Sequence, residues 1–297
     1  MEASTASATA IPPRVPVTVP ATGMPRDWAE AIRRILEGPA RRVAVLGPRD
    51  VGKSTFCGRV LHAAGRRAAL LDTDPAQKAV GPPACVTLGR QAPDGTLMPG
   101  AMAFVGTPDP LRGWRRLVAG TARLAAEAGS ELLVTNTSGL LAGAGRRLKL
   151  AKLRAVDADL LVAIGDDPAL DALLADLGGL PILRIGRPPQ ARRKTDGERR
   201  VVRQEAFRRH FAGATAWTAT TSDLWVEGMD PDRVLLPPRL LLGLVDASGQ
   251  DTALGILLET DAAAGTVTIF APVGRAGVAG IRPGRVGLDL HYREIRL

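Results

Sequence analysis

Between Gly47 and Thr55 the chain reads G-P-R-D-V-G-K-S-T, which fits the template G-x-x-x-x-G-K-[S/T]. Arg41 to Leu46, R-R-V-A-V-L, is a short apolar run suited to a buried strand, and Ser54 to Leu61 opens a helical stretch. Strand, glycine loop and helix in that order make an anion site, because backbone N–H groups of the loop and of the helix N-terminus face the phosphates. The spacing predicts that Gly47, Pro48, Arg49, Asp50, Val51 and Gly52 wrap a polyphosphate. Lys53 then reaches the β- and γ-phosphates, Ser54 ligates Mg²⁺ and Thr55 supports the α-phosphate. The ligand predicted is a nucleoside triphosphate such as ATP. What receives the phosphate is left open.

The rest of the chain agrees with such a site. Trp28 to Leu36 has helical spacing and predicts a lead-in helix beside the first strand. Buried strands are expected at Ala68–Leu71, Ala101–Val105, Glu131–Thr137, Asp159–Ile164 and Pro181–Ile185, with helices over Leu111–Gly129 and Lys149–Val156. Strands alternating with helices predict an α/β fold, a P-loop NTPase with a three-layer parallel sheet. Ligands bind at the carboxyl ends of such strands. Gly47, Asp74, Thr107 and Asn136 all follow such ends and are expected to share one crevice. After about residue 235 the pattern changes: Leu240–Val245, Ala253–Leu258 and Thr266–Phe270 are short runs separated by turn signals. The expected organisation is a leader over 1–25, a phosphate-loop domain over 26–234 and a small antiparallel β module over 235–297.

At 297 residues and 45% apolar composition, the chain can bury a substantial core. Charges interrupt every apolar run before it reaches membrane-spanning length, so no membrane association is expected. Met1 to Val19 lacks a basic start followed by an apolar block, and its Ala, Ser, Thr and Pro content reads as a disordered leader. Cys57 and Cys85 give no metal spacing and no disulfide framework, and the expectation is a cytoplasmic protein. A net charge of +9 points to a polyanionic partner, whereas 3% aromatics argues against an extended base-stacking platform.

Leu71-Asp72-Thr73-Asp74-Pro75-Ala76-Gln77 carries two carboxylates at alternate positions of a strand end, so both are expected to face the loop. A carboxylate there can hold Mg²⁺ through water or take the proton from an attacking hydroxyl. This run, with Gly81-Pro82-Pro83, resembles the L-D-x-D-x-G-Q…P-P-G segment of the RNA-processing polynucleotide 5′-hydroxyl kinases. That family includes the kinase subunits of tRNA-splicing, pre-mRNA cleavage and pre-ribosomal RNA processing complexes. Gly106-Thr107-Pro108 resembles its G-x-[S/T]-x-P clasp, and Val134 to Gly143 resembles its I-N-T-x-G-W-x-x-G segment. Arg199-Arg200-Val201-Val202-Arg203, continuing through Arg208 to Phe211 and Gly213, is similar to its arginine-rich lid. The resemblance covers roughly residues 26 to 297 and leaves no room for the family's N-terminal β domain.

The resemblance implies roles residue by residue. Lys53 and Ser54 take the phosphate and Mg²⁺ roles, Asp74 that of base toward the 5′-hydroxyl, and Asp72 assists with metal or water. Gln77, Thr107, Asn136 and Thr137 are implied acceptor-binding residues. Ala76 departs from the family's glycine, and Leu140 from the tryptophan that resembles a stacking platform for the acceptor base. Arg199, Arg203 and Arg200 are expected on one helical face, with Arg208 a turn later and Phe207 and Phe211 as anchors. Arginine offers a fork of donors to phosphate and cannot lose its charge. Arg203, Arg200 and Arg208 are therefore the candidates for stabilising the transferring phosphoryl, Arg203 first. The implied reaction is ATP-dependent phosphorylation of a 5′-hydroxyl on RNA or DNA. Two alternatives remain: an ATP-binding assembly subunit without turnover, and a small-molecule kinase of the same fold.

Overall fold

The computed structural model describes residues 23–129, 131–229 and 235–297. The expected leader therefore lies outside the described residues as far as residue 22. Helix α1 (Arg26–Glu37) leads into strand β1 (Arg42–Leu46), and α2 (Lys53–Ala64) follows the phosphate loop. Val43 and Val45 pack with α1 and α2, while Ala44 and Leu46 pack on the other side with helices further along the chain. A strand buried on both faces needs cover on both, and that makes three layers. Next come β2 (Ala68–Asp72), β3 (Cys85–Gln91), β4 (Leu97–Phe104), α3 (Trp114–Glu127), β5 (Leu132–Asn136) and α4 (Gly143–Val156). Then follow β6 (Leu160–Ile164), α5 (Pro168–Ala175) and β7 (Ile182–Ile185). The order β2-β5-β1-β6-β7 is parallel throughout. Helices α3, α4 and α5 cover the face opposite α1 and α2.

This five-strand core is parallel as expected, and beyond β2 the sheet becomes mixed. Strand β3 runs antiparallel to β2, and β4 antiparallel to β3. The β3–β4 hairpin turns at Asp94-Gly95, where Asp94 Oδ1 accepts from Thr96 N and Gly95 has φ +80°. That Asp-Gly pair was the available hairpin signal. The expected strand at Ala101 begins four residues earlier, at Leu97.

The segment expected as a lid forms α6 (Asp196–His210), started by a reciprocal cap: Thr195 Oγ1 accepts from Glu198 N at 3.1 Å, and Glu198 Oε2 accepts from Thr195 N at 2.7 Å. Phe207 and Phe211 are buried with Phe104, Leu241, Leu254 and Leu288, so they anchor the lid as expected. Strands β8 (Thr215–Thr220), β9 (Trp225–Val226), β10 (Leu240–Val245), β11 (Asp251–Asp261), β12 (Thr266–Ala271), β13 (Gly280–Leu288) and β14 (Glu294–Ile295) complete the chain. Although β8 and β9 precede residue 235, they pair with β12 and β13. The C-terminal strands continue the main sheet through the pairing of Asp251 with Met102, reinforced by Phe104 N donating to Asp251 Oδ2 at 2.9 Å.

His210 ties the lid to β11. Its Nε2 accepts from Leu254 N at 3.0 Å, a role open only to the neutral ring, and burial pushes the imidazole down to about 4. An unfolded chain takes up this proton near pH 6.5. Between about pH 6.5 and 4 the unfolded state thus binds more protons, and stability falls as pH drops through that window. The loss should reach about 3 kcal/mol below pH 4. His210→Gln, which keeps an acceptor but no titrating ring, should flatten the difference between denaturation free energies measured at pH 7 and pH 4.5.

Candidate active site

At the carboxyl ends of the parallel strands lies a crevice of about 720 Å³, of a size typical for small-molecule sites. Its first wall is the phosphate loop. Gly47 has φ +150°, and a Cβ there would meet Ile164 O at 2.6 Å; Gly52 has φ +93°, with Trp28 3.0 Å from the same construction. Both positions need glycine. Arg49, Asp50, Gly52, Lys53, Ser54 and Thr55 line the crevice. Val51 instead joins the core, and Pro48 offers its carbonyl to Lys53. The Lys53 ammonium is buried, donates to Pro48 O at 2.5 Å, and is pushed down to about 8 by burial, with Asp74 the largest opposing influence.

Asp50 docks the lid on this loop. Its carboxylate accepts from Arg199 at 2.6 and 3.2 Å and from Lys194 N at 3.0 Å. Burial alone would raise this carboxyl; Arg199 and Lys194 outweigh it and hold the group below its usual value. Arg199 and Arg203, four residues apart, both line the crevice, and Arg203 pairs with Glu294 of β14. Arg200 and Arg208 do not line it: Arg200 is exposed and Arg208 pairs with Glu205. Helical geometry explains this correction, since one residue turns the side chain by about 100° and five residues by about 140°.

The opposite wall separates the two aspartates. Asp74 lines the crevice, and its Oδ1 accepts from Ala76 N at 2.9 Å and Gln77 N at 3.2 Å, so Oδ2 is open to take a proton. Asp72 is fully buried. Its oxygens accept from Asn136 Nδ2 at 3.1 Å, from the amides of Asp74, Ala79 and Val80, and face Lys78 Nζ at 3.5 Å. The expected metal role of Asp72 is thereby corrected: its acceptor positions are taken by the protein. Strand β2 ends at Asp72, so the alternation that put both carboxylates on one face does not reach Asp74.

Gln77, Asn136, Thr137 and Leu140 line the crevice. Gln77 Nε2 donates to Arg199 O at 3.3 Å, and Thr137 Oγ1 donates to Val45 O at 2.8 Å. Gln77 Oε1 and Asn136 Oδ1 are buried acceptors with no partner in the protein. A hydroxyl or a metal-bound water would satisfy them. Gly139 lets the loop after β5 touch the phosphate loop, since a Cβ there would lie 2.6 Å from Arg49 N. Thr107 does not line the crevice; it is buried, its Oγ1 accepting from Asp109 N, and Pro110 of the same loop lines the crevice instead. Sequence reasoning placed Trp28 only in the lead-in helix and left Arg199 out of its candidates for the transferring phosphoryl, yet both line the site; it gave no role to Lys149 and Lys152 of α4, which support the site from behind. The i, i+3 spacing of the two lysines on the buried face of α4 was the only signal for them.

A glycine loop, an ammonium without a carboxylate hydrogen bond and unpartnered acceptors fit a triphosphate and its Mg²⁺. Among the described residues no three His, Cys, Asp or Glu gather as a metal cage, and none is needed where a loop hydroxyl and phosphates hold Mg²⁺. No helix among the described residues is long and apolar enough to cross a membrane.

A family model described as mRNA cleavage and polyadenylation factor CLP1 P-loop matches residues 47–213, over half of the chain. Among curated proteins, the polyribonucleotide 5′-hydroxyl-kinase of Pyrococcus furiosus is 29% identical, over 69% of this chain and 60% of that protein. The protein of the same name from Methanocaldococcus jannaschii is 22% identical, over 93% of this chain and 95% of its own. The chain thus spans about three fifths of the Pyrococcus relative. Among solved structures, wild-type Clp1p in complex with Pcf11p superposes with a TM-score of 0.63 at 12% identity, over 86% of this chain and 77% of that one. A likeness at that identity speaks for the fold.

Proposed function

We propose that this chain, which belongs to the mRNA cleavage and polyadenylation factor CLP1 P-loop family, is an ATP-dependent polynucleotide 5′-hydroxyl kinase. One observation carries the reading: Lys53 and Asp74 share one crevice, and Asp74 keeps an oxygen open while two backbone amides hold the other. The acceptor's 5′-oxygen attacks the γ-phosphorus, the bond to the bridging β–γ oxygen breaks, and the hydroxyl proton passes to Asp74. ADP and a 5′-phosphorylated end result. Lys53 and the crevice arginines Arg199 and Arg203 stabilise charge on the phosphoryl oxygens. Ser54 would hold Mg²⁺, which would add neutralisation of the β- and γ-phosphates. Gln77 and Asn136 offer acceptors to the incoming hydroxyl or to metal-bound water. The names of the relatives favour RNA as acceptor. The test is transfer of label from the γ-position of ATP to a 5′-hydroxyl oligonucleotide and not to the same oligonucleotide already 5′-phosphorylated. Label on both ends alike would overturn the reading.

A non-catalytic ATP-binding role is favoured by one residue: half-buried Leu140 lines the crevice where the family pattern has tryptophan. ATP binding without transfer to any acceptor would support it.

The basic stretch before α6 serves the acceptor in this reading. Arg192 and Lys194 line the crevice, and Arg193 is exposed beside them. Neutralising Arg192, Arg193 and Lys194 together should weaken oligonucleotide binding and flatten its salt dependence. Each lost phosphate contact lowers the slope of log affinity against log salt by roughly 0.7 for a single strand. Fluorescence titrations across salt concentrations read this directly, and unchanged slopes would return the stretch to a solvated surface.

A further inference from the structure

Two lysines stand one layer behind the crevice. Lys149 and Lys152, on the inner face of α4, are each only 1% exposed. Lys149 Nζ donates to Thr137 Oγ1 at 3.0 Å and to Ser138 O; Lys152 Nζ donates to Thr73 O and Thr73 Oγ1, both at 3.1 Å. Thr73 Oγ1 in turn donates to Asn136 O at 2.8 Å. The two ammoniums therefore hold Thr73, the residue before Asp74, and the segment Thr137-Ser138 that follows Asn136 at the end of β5.

Burying an ammonium costs several kcal/mol, and a well-packed apolar residue of similar volume serves stability as well or better. Among the described residues, neither lysine has a carboxylate within hydrogen-bonding distance. The local charge balance is uneven. Lys78 is matched by Asp72 and Arg199 by Asp50. Lys53, Lys149 and Lys152 remain, with Asp74 the carboxylate left to face all three. A site with that surplus is built for an anion.

We propose that Lys149 and Lys152 are positioning residues that bind the two catalytic loops together and supply positive charge behind the crevice as a polyphosphate arrives. This rests on the reading of the crevice as a triphosphate site and deepens it. Burial lowers both ammoniums, Lys152 to about 8 and Lys149 well below its usual value. For Lys152 the facing groups are Asp74 and Asp72, which support its charge, and Lys78 and Lys53, which oppose it. For Lys149 they are Lys152 and Lys53, which oppose, and Asp74, which supports. An incoming polyphosphate shifts this balance toward the charged form and draws in protons from solvent.

The test is calorimetric titration with MgATP at pH 8, where a phosphate group has already lost its last proton, in two buffers of different ionisation heat. The wild type should take up a fraction of a proton per ATP. Lys149→Met and Lys152→Met should each reduce that uptake and weaken ATP by about tenfold. They should slow single-turnover transfer by roughly 10- to 100-fold, the usual cost of losing a group that orients a reacting one. Uptake and affinity unchanged in both variants would overturn the proposal. So would a wild type that binds ATP at pH 8 without taking up protons, whatever the variants' folding. A wild type that binds ATP with proton uptake but transfers no phosphate would sink the kinase reading and leave this proposal standing. Absence of ATP binding by the wild type would remove both.

Discussion

Lys53→Ala should slow phosphoryl transfer by about 10²–10³ while the protein stays folded. The ammonium is the one cation at the start of α2, carried into the crevice by a loop whose glycines cannot be replaced without collision. Without ligand it leans on Pro48 O, a neutral acceptor that phosphate oxygens can outbid. Losing such a preorganised charge lowers the rate by about 10²–10³. Stability should hold or rise slightly, because the variant no longer buries a cation whose ammonium burial already pushes down to about 8. Single-turnover rates and thermal melts on the same preparation check both halves. Transfer near the wild-type rate would remove Lys53 from the phosphate site.

Asp74→Asn should cost turnover far more than ATP affinity. The backbone bonds from Ala76 and Gln77 fall on one oxygen, and an asparagine carbonyl can keep them. The loop therefore stays in place while the group loses its capacity to accept a proton. General-base contributions are typically about 10²–10⁴ in rate, so kcat should fall by that order with the ATP dissociation constant changed only a few-fold. The opposite result, collapsed ATP binding with transfer surviving in a single turnover, would make Asp74 a metal residue.

The phosphate loop was readable in the sequence because its strand, glycines and helix are contiguous and each residue type has one geometric job. The parallel core was readable for the same local reason. What was missed depends on distant partners. Strands β8, β9 and β13 pair with segments tens of residues away, and β14 is only two residues long. Strand β3 follows β2 without an intervening helix, so the alternation of strand and helix hid the antiparallel hairpin. Asp72 and Asp74 look equivalent on a period of two, but the strand stops between them, and one carboxylate is spent on amides and Lys78 while the other meets the crevice. In the lid, the run of arginines does not say which face is inward. Phe207 and Phe211 anchor α6 so that Arg199 and Arg203 face the crevice and Arg200 and Arg208 do not. Lys149 and Lys152 occupy positions where a helix pattern calls for apolar residues, and only the threonines and carbonyls brought by β2 and β5 explain them.

The most direct measurement is single-turnover transfer from γ-labelled ATP to a short 5′-hydroxyl RNA, run beside a free nucleoside bearing the same 5′-hydroxyl. The crevice, its basic lid stretch and proton transfer from the 5′-hydroxyl to Asp74 lead to label on the 5′ end of the RNA, much slower in Lys53→Ala and Asp74→Asn, with the nucleoside a much poorer acceptor. Equal or faster labelling of the nucleoside, or release of phosphate to water without labelled RNA, would contradict the assignment of a polynucleotide 5′-hydroxyl kinase.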